Sequence, residues 1–170
     1  MKVISLISGP GAGKSTAAAG LFYKMKVNGH KVEQASEYAK DLVYEGRDMT
    51  LTNQVYVFGK QHHKVERLRN KVDWVITDSP TILSIMYMPK YYPESFKNLV
   101  IDMWNMNDNY VYFINRKQPY QEYGRNQSEI EANIIDQDIK KFLSNNNIKF
   151  SEIDGNESAI ETIYNDLFKE

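Results

Sequence analysis

The sequence predicts an α/β fold of three layers, a five-stranded parallel sheet with helices on both faces. Two observations predict it. Short β-branched, apolar runs alternate along the 170 residues with stretches whose apolar side chains recur at three- and four-residue spacing. Such alternation calls for crossover connections between parallel strands, which are right-handed in nearly all proteins. No internal repeat, low-complexity tract or linker divides the chain, so residues 1–170 read as one domain.

The elements follow in order. Lys2 to Ser8 is a compact run suited to a strand buried on both faces. After a glycine loop, Lys14 to Asn28 reads as a helix with Ala17, Ala18, Leu21, Phe22 and Met25 inward, stopped by Gly29. Lys31 to Gln34 is a short second strand, and Ser36 begins a brief helix through Tyr38 and Leu42. From Thr52 to about Asn70 a longer helix places Val55, Phe58, His62 and Val65 on one face. Val72 to Asp78 is the third strand and ends in a carboxylate. Pro93 to Met106 is a helix with proline in its first turn, and Tyr110 to Ile114 is the fourth strand. Ser128 and Glu131 have capping-box spacing before a helix striped by Ile130, Ile134, Ile139 and Phe142. Ile148 to Ile153 is the fifth strand, and Ile160, Ile163, Tyr164, Leu167 and Phe168 mark an amphipathic terminal helix.

Composition excludes several classes of function. With 42% apolar and 25% charged residues the chain is neither disordered nor fibrous. A net charge of −1 without blocks of like charge argues against a broad basic face for nucleic acid, though not against a local groove. The absence of cysteine removes disulfides, thiolate metal sites and thiol catalysis. The run Val3–Ile7 ends in a glycine loop rather than a cleavage site, and no stretch approaches the roughly 18 apolar residues of a membrane span. A soluble, cytoplasmic protein with no membrane partner is expected.

The segment Ser8-Gly9-Pro10-Gly11-Ala12-Gly13-Lys14-Ser15-Thr16 carries the clearest chemistry. A helix that starts after a tight glycine loop aims unpaired N–H groups and a positive dipole end at one point, where phosphate is the natural occupant. Gly9, Gly11, Ala12 and Gly13 supply the wrapping backbone. Lys14 is placed to reach the β- and γ-phosphates of a nucleoside triphosphate, and the Ser15 hydroxyl to ligate Mg²⁺. In loops of this type Thr16 meets the α-phosphate. The consensus G-x-x-x-x-G-K-[ST] has glycine where Ser8 stands, and Gly9 next to it points to an altered turn.

Asp78 lies at the strand edge where open parallel sheets bind ligands. It suits Mg²⁺, directly or through a water shared with Ser15, and it equally suits a cap on a following helix with Pro80 in its first turn. Glu37, after the second strand, reaches the same edge and is either the acceptor of a hydroxyl proton or an ordinary acid at a helix start. Asp41 shares those two readings, and Asp73, inside the strand pattern, reads as an edge or start residue rather than a catalyst. Arg116, Lys117 and Arg125 fall in a segment of about residues 116–127 that is either a lid closing over phosphates or a surface loop with solvated cations. Arg67 and Arg69 fit a wet helix face. His62 and His63 point in different directions on a helix and lack a third ligand, so they form no metal site. Tyr91-Tyr92 and Tyr120/Tyr123 suit either ring stacking or a tyrosine-rich surface.

The motifs "SGPGAGKST", "SEYAKD", "VITDSP" and "YGRNQSEIEANIID" together resemble P-loop kinases of the nucleoside and nucleoside-monophosphate type. The likeness is nearest to the branch of ribosylnicotinamide kinase domains and small phage-encoded P-loop proteins. The resemblance implies the P-loop NTPase fold, ATP and Mg²⁺ as cofactors, and handling of metal and acceptor hydroxyl by Asp78 and Glu37. It also implies lid arginines at Arg116 and Arg125, and packing of adenine on "IDGNES" at Ile153–Ser158. Ser8 departs from the family pattern, and the D-x-P motif lacks the arginine that often follows it in monophosphate kinases.

Three activities compete on these grounds. The first is transfer of the γ-phosphate of ATP to the hydroxyl of a small nucleoside, nucleotide or nucleoside-like acceptor. A variant of it places that hydroxyl on a modified base in DNA. The third is an acceptor-independent NTPase or switch, although Ile114-Asn115-Arg116-Lys117 does not supply the N-K-x-D signature of guanine-reading switches.

Overall fold

A computed structural model of the protein describes residues 1–120 and 128–169. Five strands, β1 (Lys2–Ile7), β2 (Val32–Ala35), β3 (Trp74–Thr77), β4 (Asp108–Asn115) and β5 (Ser151–Asp154), form one sheet in the order β2-β3-β1-β4-β5. Every pairing is parallel, with Ser5 beside Thr77, Ile7 beside Phe113 and Asn115 beside Asp154. The carboxyl ends of all five strands therefore share one edge. The helices are α1 (Lys14–Val27), α2 (Tyr38–Tyr44), α3 (Asp48–Leu51), α4 (Gln54–Glu66), α5 (Ser84–Tyr87), α6 (Glu94–Asn105), α7 (Glu129–Asn145) and α8 (Ala159–Phe168), with a 3₁₀ turn over Thr81–Leu83.

The pleat divides the strand side chains between two cores. Ile4 and Leu6 of β1, Trp74 and Ile76 of β3, and Tyr112 and Ile114 of β4 face α1 and α8, which contribute Leu21, Met25 and Ile163. Ile7, Val111 and Phe113 face the other way, against Phe58 of α4, Val100 and Trp104 of α6, and Ile139 and Leu143 of α7. A smaller cluster of Val3, Ala35, Val65 and Val75 completes that face. Helices cover both faces, as the alternating pattern predicts.

Two helices turn differently from their expected stripes. In α4 the buried positions are Gln54, Val57, Phe58, Gln61 and Val65, while Val55 is exposed. The glutamines are buried because they are bonded: Gln54 donates to the Leu51 carbonyl at 3.0 Å, and Gln61 links the start of α2 to the end of β3. In α7 the inward residues are Ala132, Ile139 and Leu143, and Ile130 and Ile134 face solvent. Ala132 is fully buried, and its backbone carbonyl lies against Gly9 of the glycine loop. The expected capping box is present, the Ser128 hydroxyl accepting from the Glu131 N–H and the Glu131 carboxylate accepting from the Ser128 N–H.

Candidate active site

The loop between β1 and α1 holds Gly9, Gly11, Ala12 and Gly13, and the first turn of α1 holds Lys14, Ser15 and Thr16, all at the carboxyl edge of the sheet. Gly11 takes φ +78°, and a Cβ there would lie 2.8 Å from the Tyr120 ring, so both backbone and space require glycine. At Gly9 the constraint is space alone: a Cβ would sit 2.7 Å from the Ala132 carbonyl of α7. The loop's need for glycine is thus met at position 9, where α7 touches it, and Ser8 beside it is buried with its hydroxyl on the Gly9 carbonyl at 3.3 Å.

Lys14 and the carboxylates converge next. Lys14 Nζ donates to the Gly9 carbonyl at 2.8 Å. Burial pushes the Lys14 ammonium below its ordinary range, and the charges of Glu37, Asp78 and Asp136 pull it back up. Glu37, at the N-cap of α2, makes no side-chain capping bond. Burial raises its carboxyl above the ordinary value, with Lys14 opposing. Asp78, only 8% exposed, accepts the Ser15 hydroxyl at 2.5 Å. It does not cap the following 3₁₀ turn, which is entered through Pro80 without a side-chain cap.

A hydroxyl and a carboxylate this close form an all-oxygen donor pair of the kind Mg²⁺ takes, with its other ligands drawn from phosphate and water. No group of three or more His, Cys, Asp or Glu side chains that could hold a metal occurs among the described residues.

Arg116 follows β4 at the same edge. Its guanidinium donates to the Pro10 carbonyl at 2.6 Å, to Asp136 Oδ2 at 2.9 Å and to Asn133 Oδ1 at 3.3 Å, with the Tyr120 ring 5.4 Å from it. Arg125 and most of the lid-like segment lie outside the described residues. The late loop also reaches this edge: a Cβ on Gly155 would lie 2.7 Å from the Ala12 carbonyl. Other candidates stand apart. Asp41 pairs with Lys64 at 3.2 Å, Arg69 pairs with Glu66 and Asn107, and His62 stacks on Phe58. Tyr91 and Tyr92 pack on each other and, through Tyr92, on Phe96 of α6.

Two residues bonded to the candidate site escape the sequence reading. Asp136 of α7 accepts from the Gly9 N–H at 2.5 Å. Gln61 accepts from the Tyr38 N–H at 2.9 Å and donates to Thr77 Oγ1 at 3.4 Å, tying the residue after Glu37 to the residue before Asp78. A signal for both exists in the pattern. Asp136 falls in the stripe 132, 136, 139, 143, and Gln61 in the stripe 54, 58, 61, 65, each a polar residue on an otherwise inward face.

Comparison with known proteins adds family and fold. A family model described as AAA domain matches residues 3–159. No curated protein matches the chain. Among solved structures, deoxyadenosine kinase from M. mycoides with bound dATP superposes with a TM-score of 0.58 at 17% identity, over 98% of this chain and 99% of that one. At that identity the likeness establishes the architecture, a P-loop NTPase-like sheet with helices on both sides.

Proposed function

The chain belongs to the AAA domain family, and from that premise we propose that it is an ATP-dependent phosphotransferase acting on a hydroxyl of a nucleoside, nucleotide or nucleoside-like acceptor. The observation that carries this reading is the gathering, at the carboxyl edge of the sheet, of Lys14, the Ser15–Asp78 pair and Glu37, a carboxylate at the N-cap of α2 that makes no capping bond and interacts electrostatically with Lys14 and Asp78. The architectural likeness to a deoxyadenosine kinase supports an acceptor of nucleoside type, and the branch of ribosylnicotinamide kinases falls within the same acceptor class.

In this mechanism the loop N–H groups of residues 9–16 and Lys14 hold the β- and γ-phosphates. Ser15 and Asp78 would hold Mg²⁺, which would supply charge neutralisation at the phosphates. Glu37 takes the proton of the acceptor hydroxyl as its oxygen bonds to the γ-phosphorus, while the bond to the β–γ bridging oxygen breaks and ADP leaves. Glu37 fits this role better than Asp78, whose oxygen already receives the Ser15 hydroxyl. Arg116, and Arg125 on the same stretch of chain, supply positive charge near the transferring group. The reaction would take place in the cytoplasm; among the described residues no helix is long and apolar enough to cross a membrane.

The test is a mass-spectrometric screen with ATP and Mg²⁺ against pooled nucleosides, nucleoside monophosphates, nicotinamide riboside and DNA carrying modified bases. A product heavier by one phosphate, lost in Lys14→Ala, is expected in a small-molecule pool. ATP turned over with every acceptor unchanged would sink the reading in favour of an NTPase, and phosphorylated DNA would move the acceptor class.

A further inference from the structure

We propose that Asp136 is a positioning residue for the phosphate loop, fixing it to α7 through the Gly9 N–H and the Arg116 guanidinium, so that nucleotide affinity depends on that helix. The inference rests on the phosphotransferase reading only in taking a nucleotide as the loop's ligand. Asp136 lies 127 positions from Gly9 in sequence, yet its Oδ1 receives the Gly9 N–H at 2.5 Å. Its Oδ2 receives Arg116 Nη2 at 2.9 Å, and Arg116 Nη1 in turn donates to the Pro10 carbonyl at 2.6 Å. One ion pair therefore grips an N–H and a C=O of two successive loop residues.

The grip continues into the site. The Gly9 carbonyl is the acceptor for Lys14 Nζ at 2.8 Å, so Asp136, Gly9 and Lys14 form one hydrogen-bonded chain. The side chains of Arg116 and Asp136 are 9% and 15% exposed, so water screens the pair poorly and each charge needs the other. Contact is as close as it can be: a Cβ at Gly9 would meet both the Ala132 carbonyl at 2.7 Å and Asp136 Oδ1 at 2.9 Å. Anion binding by backbone N–H groups depends on where those groups point, and this linkage sets the entry angle of the loop.

The experiment titrates the full chain with a non-hydrolysable ATP analogue and Mg²⁺, comparing wild type with Asp136→Ala and Asp136→Asn, alongside their melting temperatures. Loss of a charged hydrogen-bonding partner predicts an analogue dissociation constant raised about tenfold or more in Asp136→Ala. Asp136→Asn keeps an oxygen for the Gly9 N–H without the charge, so it should fall between the two. A purely structural aspartate would lower the melting temperature and leave the analogue's dissociation constant unchanged. Wild-type affinity in both variants overturns the assignment. Should Asp136→Ala fail to fold, Asp136→Asn decides alone, with a several-fold loss expected and wild-type affinity overturning it. Wild-type protein that binds the analogue but phosphorylates nothing would sink the phosphotransferase reading and leave this assignment standing, whereas wild-type protein that does not bind it overturns both.

Discussion

Lys14 and Glu37 modify each other. Burial works against the charge on both, and each supports the charge of the other. Glu37 in the folded chain holds its proton above the ordinary carboxyl range, starting from an ordinary value of 4.5. Its contribution to folding is therefore fully present below that ordinary value and is lost as pH rises through the raised folded value. Catalysis runs the other way, because a proton acceptor must be empty. Activity should rise with pH on a limb centred above 4.5, and Glu37→Gln should abolish that limb together with turnover. Lys14 is the largest influence opposing the shift. In Lys14→Met the Glu37 carboxyl should titrate higher still, measurable by carboxyl NMR shifts against pH; an unchanged or lower midpoint would mean that the two groups do not sense each other.

At the scale of elements, the loop following β5 is pressed into the phosphate loop. The Gly155 N–H donates to the Asn115 carbonyl at 2.8 Å, and a Cβ at this position would meet that oxygen at 2.8 Å and the Ala12 carbonyl at 2.7 Å. Neither neighbour is the flexible end of a side chain. Gly155→Ala should therefore cost about 1–3 kcal/mol of stability and weaken nucleotide binding as well. Denaturant unfolding and analogue titration read the two effects, and a variant with wild-type values in both would show that the backbone yields freely. The strands, the loop, Asp78 and Glu37 were legible in the sequence because strand runs, glycine spacing and carboxylates at strand ends are local signals. The placements of Asp136 and Gln61 beside it were not, since each depends on a helix rotation that local periodicity leaves loosely defined. Ile130 and Ile134 show the same effect: an apolar stripe suggests an inward face, but α7 turns Ala132 inward and leaves both isoleucines exposed.

For the whole molecule, the edge that gathers the candidate site draws on the ends of β1, β2, β3, β4 and β5 and on α7. A nucleotide bound there contacts much of the chain at once and should protect it as a unit. Analogue with Mg²⁺ at a hundredfold excess over its dissociation constant adds about 2.7 kcal/mol, a rise in melting temperature of roughly 5–10 °C for a chain of this size. Lys14→Ala should forfeit that rise, and a rise retained in full would place the ligand elsewhere. The strand order has a second consequence, for the path by which the chain reaches its native state. β1 is central, yet its neighbours are β3, beginning at Trp74, and β4, beginning at Asp108. A growing polypeptide carries an apolar segment, Val3 to Ile7, that finds neither neighbour until dozens of further residues have been made. Distant parallel pairing of this kind slows the search and prolongs the exposure of sticky intermediates. The partner of the Gly9 N–H in the phosphate loop, Asp136, is translated later still, so that bond can close only after the wait.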